Sequence, residues 1–133
     1  MRTRTIAVLM ITIALASCAS AQTKVQRARE KDPKYQYNLG LLYLNQSNVD
    51  EAMKYFLKTL SLDPKFYLAY NALGLSYSMK GQLDDAVKSY LRCLELNAQF
   101  TEARNNLGTV YQELNQLDKA EVEFRAALRD LTY

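Results

Sequence analysis

The sequence has no histidine, no tryptophan, two cysteines, two prolines and four glycines in 133 residues. Each shortage excludes a class of chemistry. Without histidine there is no imidazole to work as a general base near neutral pH or to ligate a transition metal, and two cysteines are too few for a thiolate-bound metal. The glycines do not form a phosphate-cradling run. Asp84-Asp85 and the Glu121/Glu123 pair fall at expected helix starts or on an outer face, where the helix dipole and solubility account for them. The chain is therefore read as non-enzymatic, with no metal and no small-molecule cofactor.

Charge of one sign is scarce too. The net charge is +3, but Arg2 and Arg4 lie in a segment expected to be removed. From Tyr35 onward there are ten Lys or Arg against twelve Asp or Glu. A nucleic-acid surface needs a clustered basic face, and none is present.

A membrane-spanning run is also missing. The longest apolar stretch, Ile6 to Ala16, would rise about 16 Å as a helix, short of the ~30 Å hydrocarbon core. It follows Arg2 and Arg4 and precedes small residues, the order of an export signal. Leu15-Ala16-Ser17-Cys18 resembles the lipobox of bacterial lipoproteins. That resemblance implies a signal peptide over 1–17, cleavage before Cys18 and a diacylglycerol on its thiol, the only cofactor-like group expected. Two or three acyl chains anchor stably at ~0.8 kcal/mol per buried CH₂. Ala19, rather than Asp, after the cysteine implies by similarity to Gram-negative lipoproteins the periplasmic face of the outer membrane. Ala19-Ser20-Ala21 forms a second small-x-small cleavage site, which leaves a soluble periplasmic or secreted chain as the alternative.

With Cys18 lipidated, Cys93 stands alone and no intramolecular disulfide forms. Its helical position predicts a buried, inert thiol. Residues 18–32 follow as a polar tether or frayed helix, where Lys24, Arg27, Arg29 and Lys31 serve as a solvated spacer compatible with anionic headgroups.

What the chain does have is self-similarity. Shifted by 34 residues it aligns without a gap: Leu39-Gly40, Leu73-Gly74 and Leu107-Gly108, then Tyr43, Tyr77 and Tyr111, then Ala52, Ala86 and Ala120, then Phe56, Tyr90 and Phe124. Such a period is the mark of a stacked repeat. Apolar residues three and four apart place one face of each helix inward, so each repeat is two helices. Asp50, Asp84 and Asp118 are expected as N-caps of the second helices, with Val49, Leu83 and Leu117 as staples. Pro64 should stop the second helix of repeat one, and Asn97 should end the next by turning left-handed.

The pattern resembles the tetratricopeptide repeat from about Pro33 to Leu131. The departures are Gln36 and Arg104 at the early aromatic position and Ala98 at the late proline. The resemblance implies an all-α, right-handed superhelical array with repeats over 33–66, 67–100 and 101–133. It also implies a concave side, lined by the first helices, that holds an extended peptide or helix of a partner protein. Its lining falls at Tyr37, Leu41, Leu44 and Asn45 in repeat one, Asn71, Leu75, Ser78 and Met79 in repeat two, and Asn105, Thr109, Gln112 and Glu113 in repeat three. Asn71 and Asn105, one repeat apart, suit a ladder of amides against an extended backbone. Tyr37, Leu41 and Glu102 stand where family members that grip two carboxylates place basic groups, which argues against that ligand.

Among exported lipoproteins with this repeat, the chain is most similar to the pilotin family of type IV pilus biogenesis known as PilF, PilW or Tgl. The lipobox, the short tether and Asn105-Asn106-Leu107-Gly108 followed by Tyr111 carry the likeness. It implies a scaffold that binds a secretin or another pilus-assembly protein, with membrane contact through the lipid alone. A periplasmic adaptor organising peptidoglycan enzymes is the alternative. No polar helix is seen to cover repeat three, so its flank is expected to meet a partner or a second copy, or to continue in a longer array.

Overall fold

A computed structural model describes Met10 and residues 18–130. The expected signal segment, Met10 aside, and the Leu15-Ala16-Ser17 of the lipobox lie outside the described residues. No described helix is long and apolar enough to cross a membrane.

The chain divides into two compact units at Asp32. In the first, residues 18–30 form a helix (α1), exposed along its described length. The Thr23 hydroxyl donates to the backbone oxygens of Ser20, 2.8 Å away, and Ala19, 3.1 Å away. The expected tether is thus helical, and it buries no apolar face.

The second unit is a run of α-helices: α2 (Pro33–Asn45), α3 (Val49–Leu62), α4 (Tyr67–Met79), α5 (Leu83–Leu96), α6 (Thr101–Glu113) and α7 (Leu117–Asp130). α2, α4 and α6 are first helices; α3, α5 and α7 are the second helices they pair with. The repeated small residues explain the close pairing. A Cβ on Gly40 would lie 2.4 Å from the Phe56 ring, one on Gly74 2.6 Å from Tyr90 and one on Gly108 2.6 Å from Phe124. Glycine is therefore required by the packing, not by the backbone. Ala52, Ala86 and Ala120 are at most 1% exposed, so larger side chains have no room there.

Each turn inside a repeat is built alike. Ser47, Gly81 and Asn115, again 34 apart, have φ of 60°, 72° and 57°. The N–H groups of Asn48, Gln82 and Gln116 donate to the carbonyls of Tyr43, Tyr77 and Tyr111 at 2.8–2.9 Å. Those of Ser47, Gly81 and Asn115 donate to Leu44, Ser78 and Gln112, each at 2.9 Å. This is the Schellman pattern, in which a left-handed residue lets two donors satisfy the last carbonyls of the helix.

That pattern overturns two expectations. Asp50, Asp84 and Asp118 are not N-caps. The turn is so short that the second helices begin at Val49, Leu83 and Leu117, leaving each Asp in the first turn. The caps are Asn48, whose side-chain oxygen accepts from the Glu51 N–H at 3.4 Å, and Gln82, which makes no such bond. The aspartates act by their charge at the helix start. Asn97 is not left-handed either, having φ −141° like Asp63 at −138°. They sit at equivalent places in the two turns between repeats. Their side-chain oxygens accept from the N–H two residues on, Lys65 at 2.9 Å and Gln99 at 3.3 Å, so an extended residue ends the helix without left-handed backbone.

Candidate partner-binding face

Within the array each helix packs on the next, and α2 also approaches α4, and α4 approaches α6. Among the described residues the second helices make no matching approach to one another. The first helices therefore converge and the second helices diverge, which places the first helices on the inner side of a curve.

The expected lining residues fall into two groups. Leu75 and Met79 are 39% and 53% exposed, and Asn45, Asn105, Thr109, Gln112 and Glu113 are exposed as well. Tyr37, Leu41, Leu44 and Ser78 are half-buried. Tyr37 lies with its ring 5.8 Å from Phe56 and 5.2 Å from Phe66, and Leu41 and Leu44 pack on the cluster of Ala52, Phe56, Ala72 and Leu73. These three form the floor of the face more than its contact surface.

Asn71 alone among the expected lining residues is buried. It is 6% exposed. Its side-chain amide donates to Glu102 Oε1 at 2.9 Å, and its oxygen accepts from the Asn106 amide at 3.4 Å. The side-chain amide beside Asn71 is that of Asn106, while Asn105, one repeat on from Asn71, is exposed. Glu102 and Asn106 were not read as lining residues. The signal for Glu102 was available, since it stands where the clamp-bearing relatives carry a cation.

The carboxylate of Glu102 is felt across the array. The Tyr37 phenol is pushed up by burial and then by Glu102, although the two residues belong to the first and third repeats. Burial pushes the Tyr90 phenol and the Cys93 thiol up to about 12, with Glu102 adding to both. Cys93 is fully buried, which agrees with an inert thiol. Cys18 is exposed.

The cation next to Glu102 in sequence is turned elsewhere. Arg104 donates to the carbonyl of Ala98 at 2.6 and 3.1 Å and to Glu123 at 3.2 Å. At the far end, Leu117, Val122 and Leu128 of α7 are 59%, 62% and 64% exposed, and a 480 Å³ hollow opens beside Leu117 and Lys119. One repeat earlier, Leu83 and Leu94 are half-buried against the core that α6 completes.

Four family models described as tetratricopeptide or TPR repeats match residues 33–66, 55–88, 76–115 and 101–131. No curated protein matches the chain significantly. Among solved structures, the chain is similar to the crystal structure of MamA at 24% identity and a TM-score of 0.73, covering 76% of this chain and 59% of MamA. It therefore spans less than two thirds of that protein. It is also similar to the first TPR of Spaghetti (RPAP3) bound to the HSP90 peptide SRMEEVD, at 20% identity and a TM-score of 0.73, covering 76% of this chain and 80% of that one. The second TPR of Spaghetti, bound to the same peptide, matches at 16% identity and 0.71, covering 79% and 96%. At these identities the likeness is one of fold.

Proposed function

Because residues 33–131 carry tetratricopeptide repeats, we propose that the chain is a non-catalytic scaffold that holds a protein partner along its first helices. The observation that carries this reading is the inner side of the array. There α2, α4 and α6 converge and the solvent-facing Leu75 and Met79 offer apolar contact on a preformed frame. The two Spaghetti domains hold a peptide on the same fold.

The finer reading is an outer-membrane lipoprotein, anchored through Cys18 and facing the periplasm, that assists assembly of a type IV pilus secretin. Its support is the Leu-Ala-Ser-Cys sequence before an exposed Cys18 and the sequence likeness to the pilotins. The exposed apolar residues of α7 give the scaffold a second surface for a partner or another copy.

The test is a pull-down from detergent-solubilised outer membrane with the intact chain, beside a Leu75→Asp, Met79→Asp variant. Secretin retained by the wild type and lost by the variant is expected. Cell-wall hydrolases retained in its place would assign the adaptor role instead. Equal retention by both proteins would place the partner off the first helices. Incorporation of labelled palmitate into the wild type but not Cys18→Ser checks the anchor.

A further inference from the structure

The inner face carries one feature that general binding does not use. Where the three first helices converge, the carboxylate of Glu102 is steered toward Asn71, which is itself 6% exposed, by a 2.9 Å hydrogen bond. Asn106 holds Asn71 in turn at 3.4 Å. A buried amide that spends its donor on a carboxylate fixes that carboxylate's position, because an alternative rotamer of Asn71 would strand a buried polar group. Glu102 lies in the first turn of α6, where a carboxylate complements the helix dipole. The neighbouring cation is committed to Glu123 and the Ala98 carbonyl, and α4 brings no charged residue at all. Glu113, at the end of α6, is the other carboxylate on this side and is exposed. The face is therefore negative at a position that is structurally fixed.

Resting on the scaffold reading, we infer that Glu102 is the subsite for a cationic side chain, Lys or Arg, of an extended segment of the partner. The register of α4 specifies that segment further. Met79 lies eight residues beyond Asn71, about 12 Å along the helix. An extended chain covers that distance in three or four residues at about 3.3–3.6 Å each. The segment thus places a cation on Glu102 and an apolar side chain, three or four positions away, on Met79. Methionine adapts to varied apolar shapes, so the charge sets the register and the apolar site is permissive.

The test is fluorescence anisotropy of the full chain with three labelled ten-residue peptides of alanine and glycine. One carries Arg with Leu three positions on, one has Glu in place of the Arg, and one has Ala there. The Arg peptide is expected to bind at least tenfold more tightly than the Glu peptide, the ratio a single charge-assisted contact sustains. Glu102→Gln, which keeps an acceptor for Asn71, is expected to bring the Arg peptide down to the level of the Ala peptide with an unchanged melting curve. Equal binding of the Arg and Glu peptides, insensitivity to Glu102→Gln, or no binding of any peptide overturns the subsite. The Leu75→Asp, Met79→Asp variant separates this failure from that of the scaffold reading. Arg-peptide binding that survives both in it and in Glu102→Gln places recognition off the first helices. Binding lost there but indifferent to Glu102→Gln removes only the cation subsite.

Discussion

The Cε1 atom of Tyr90 lies 2.6 Å from where a Cβ on Gly74 would stand, and Tyr90 is 1% exposed, so the ring has nowhere to retreat. Alanine in a helix interior is normally favoured over glycine by about 1 kcal/mol. Here overpacking outweighs propensity, and Gly74→Ala is expected to lower stability by roughly 1–3 kcal/mol. Urea denaturation checks it. In the Gly74→Ala, Tyr90→Leu double variant the loss should be smaller than the sum of the two single losses, since they share one contact. A Gly74→Ala protein more stable than wild type would disprove the packing account.

The left-handed turn residues make the opposite case. A Cβ on Gly81 meets nothing within 4 Å, yet φ is 72°. Gly81→Ala should therefore cost roughly 1 kcal/mol through the backbone alone. Ser47, at φ 60°, already bears that strain, and Ser47→Gly is expected to raise stability by up to about 1 kcal/mol. Asn115 at φ 57° tolerates the conformation better, so Asn115→Gly should gain less. Thermal melts of the three variants in that order suffice as the check.

Stability should fall in alkali. Cys93 and Tyr90 are acids whose neutral forms the fold favours. Burial raises them to about 12 from 9.0 and 10.0 respectively. Their contribution is complete below the unfolded values and is lost as pH rises from about 9 toward 12, because the unfolded chain releases the protons first. Denaturant midpoints measured between pH 8 and 11 should decline, and Cys93→Ala should delay the onset of that decline by about one pH unit. A flat profile would contradict the burial of both groups.

Arg104 joins the turn between repeats two and three to α7 through Ala98 and Glu123. Both ionic side chains are largely covered, 22% and 16% exposed. Lysine has no planar fork to reach both acceptors, so Arg104→Lys is expected to destabilise by roughly 1–3 kcal/mol. The exposed Arg92–Glu95 pair is the control, and Arg92→Lys should change stability by less than about 0.5 kcal/mol. Similar losses in the two variants would mean that Arg104 contributes no more than a surface ion pair.

The register of departures from the repeat shows what a sequence pattern leaves open. Gln36, Tyr70 and Arg104 occupy one position in three repeats. Gln36 is 1% exposed, the Tyr70 ring lies 5.9 Å from the Arg92 guanidinium, and Arg104 binds Ala98 and Glu123. Nothing in the chain order predicted three different uses. The expected caps failed for a related reason. Asp50 and Asn97 have cap-forming side chains, but turn length and φ decide which residue stands at a boundary.

Sequence alone determined the period of 34, the two helices per repeat, the glycine and alanine contacts and the buried Cys93. All of these follow from residue type at fixed spacing, since a packed helix pair admits only small residues at its crossing. Tertiary structure decided which side chains share the inner face. Glu102 and Asn71 are 31 residues apart and meet at 2.9 Å only because α4 and α6 approach each other, and that approach depends on how whole helices pack.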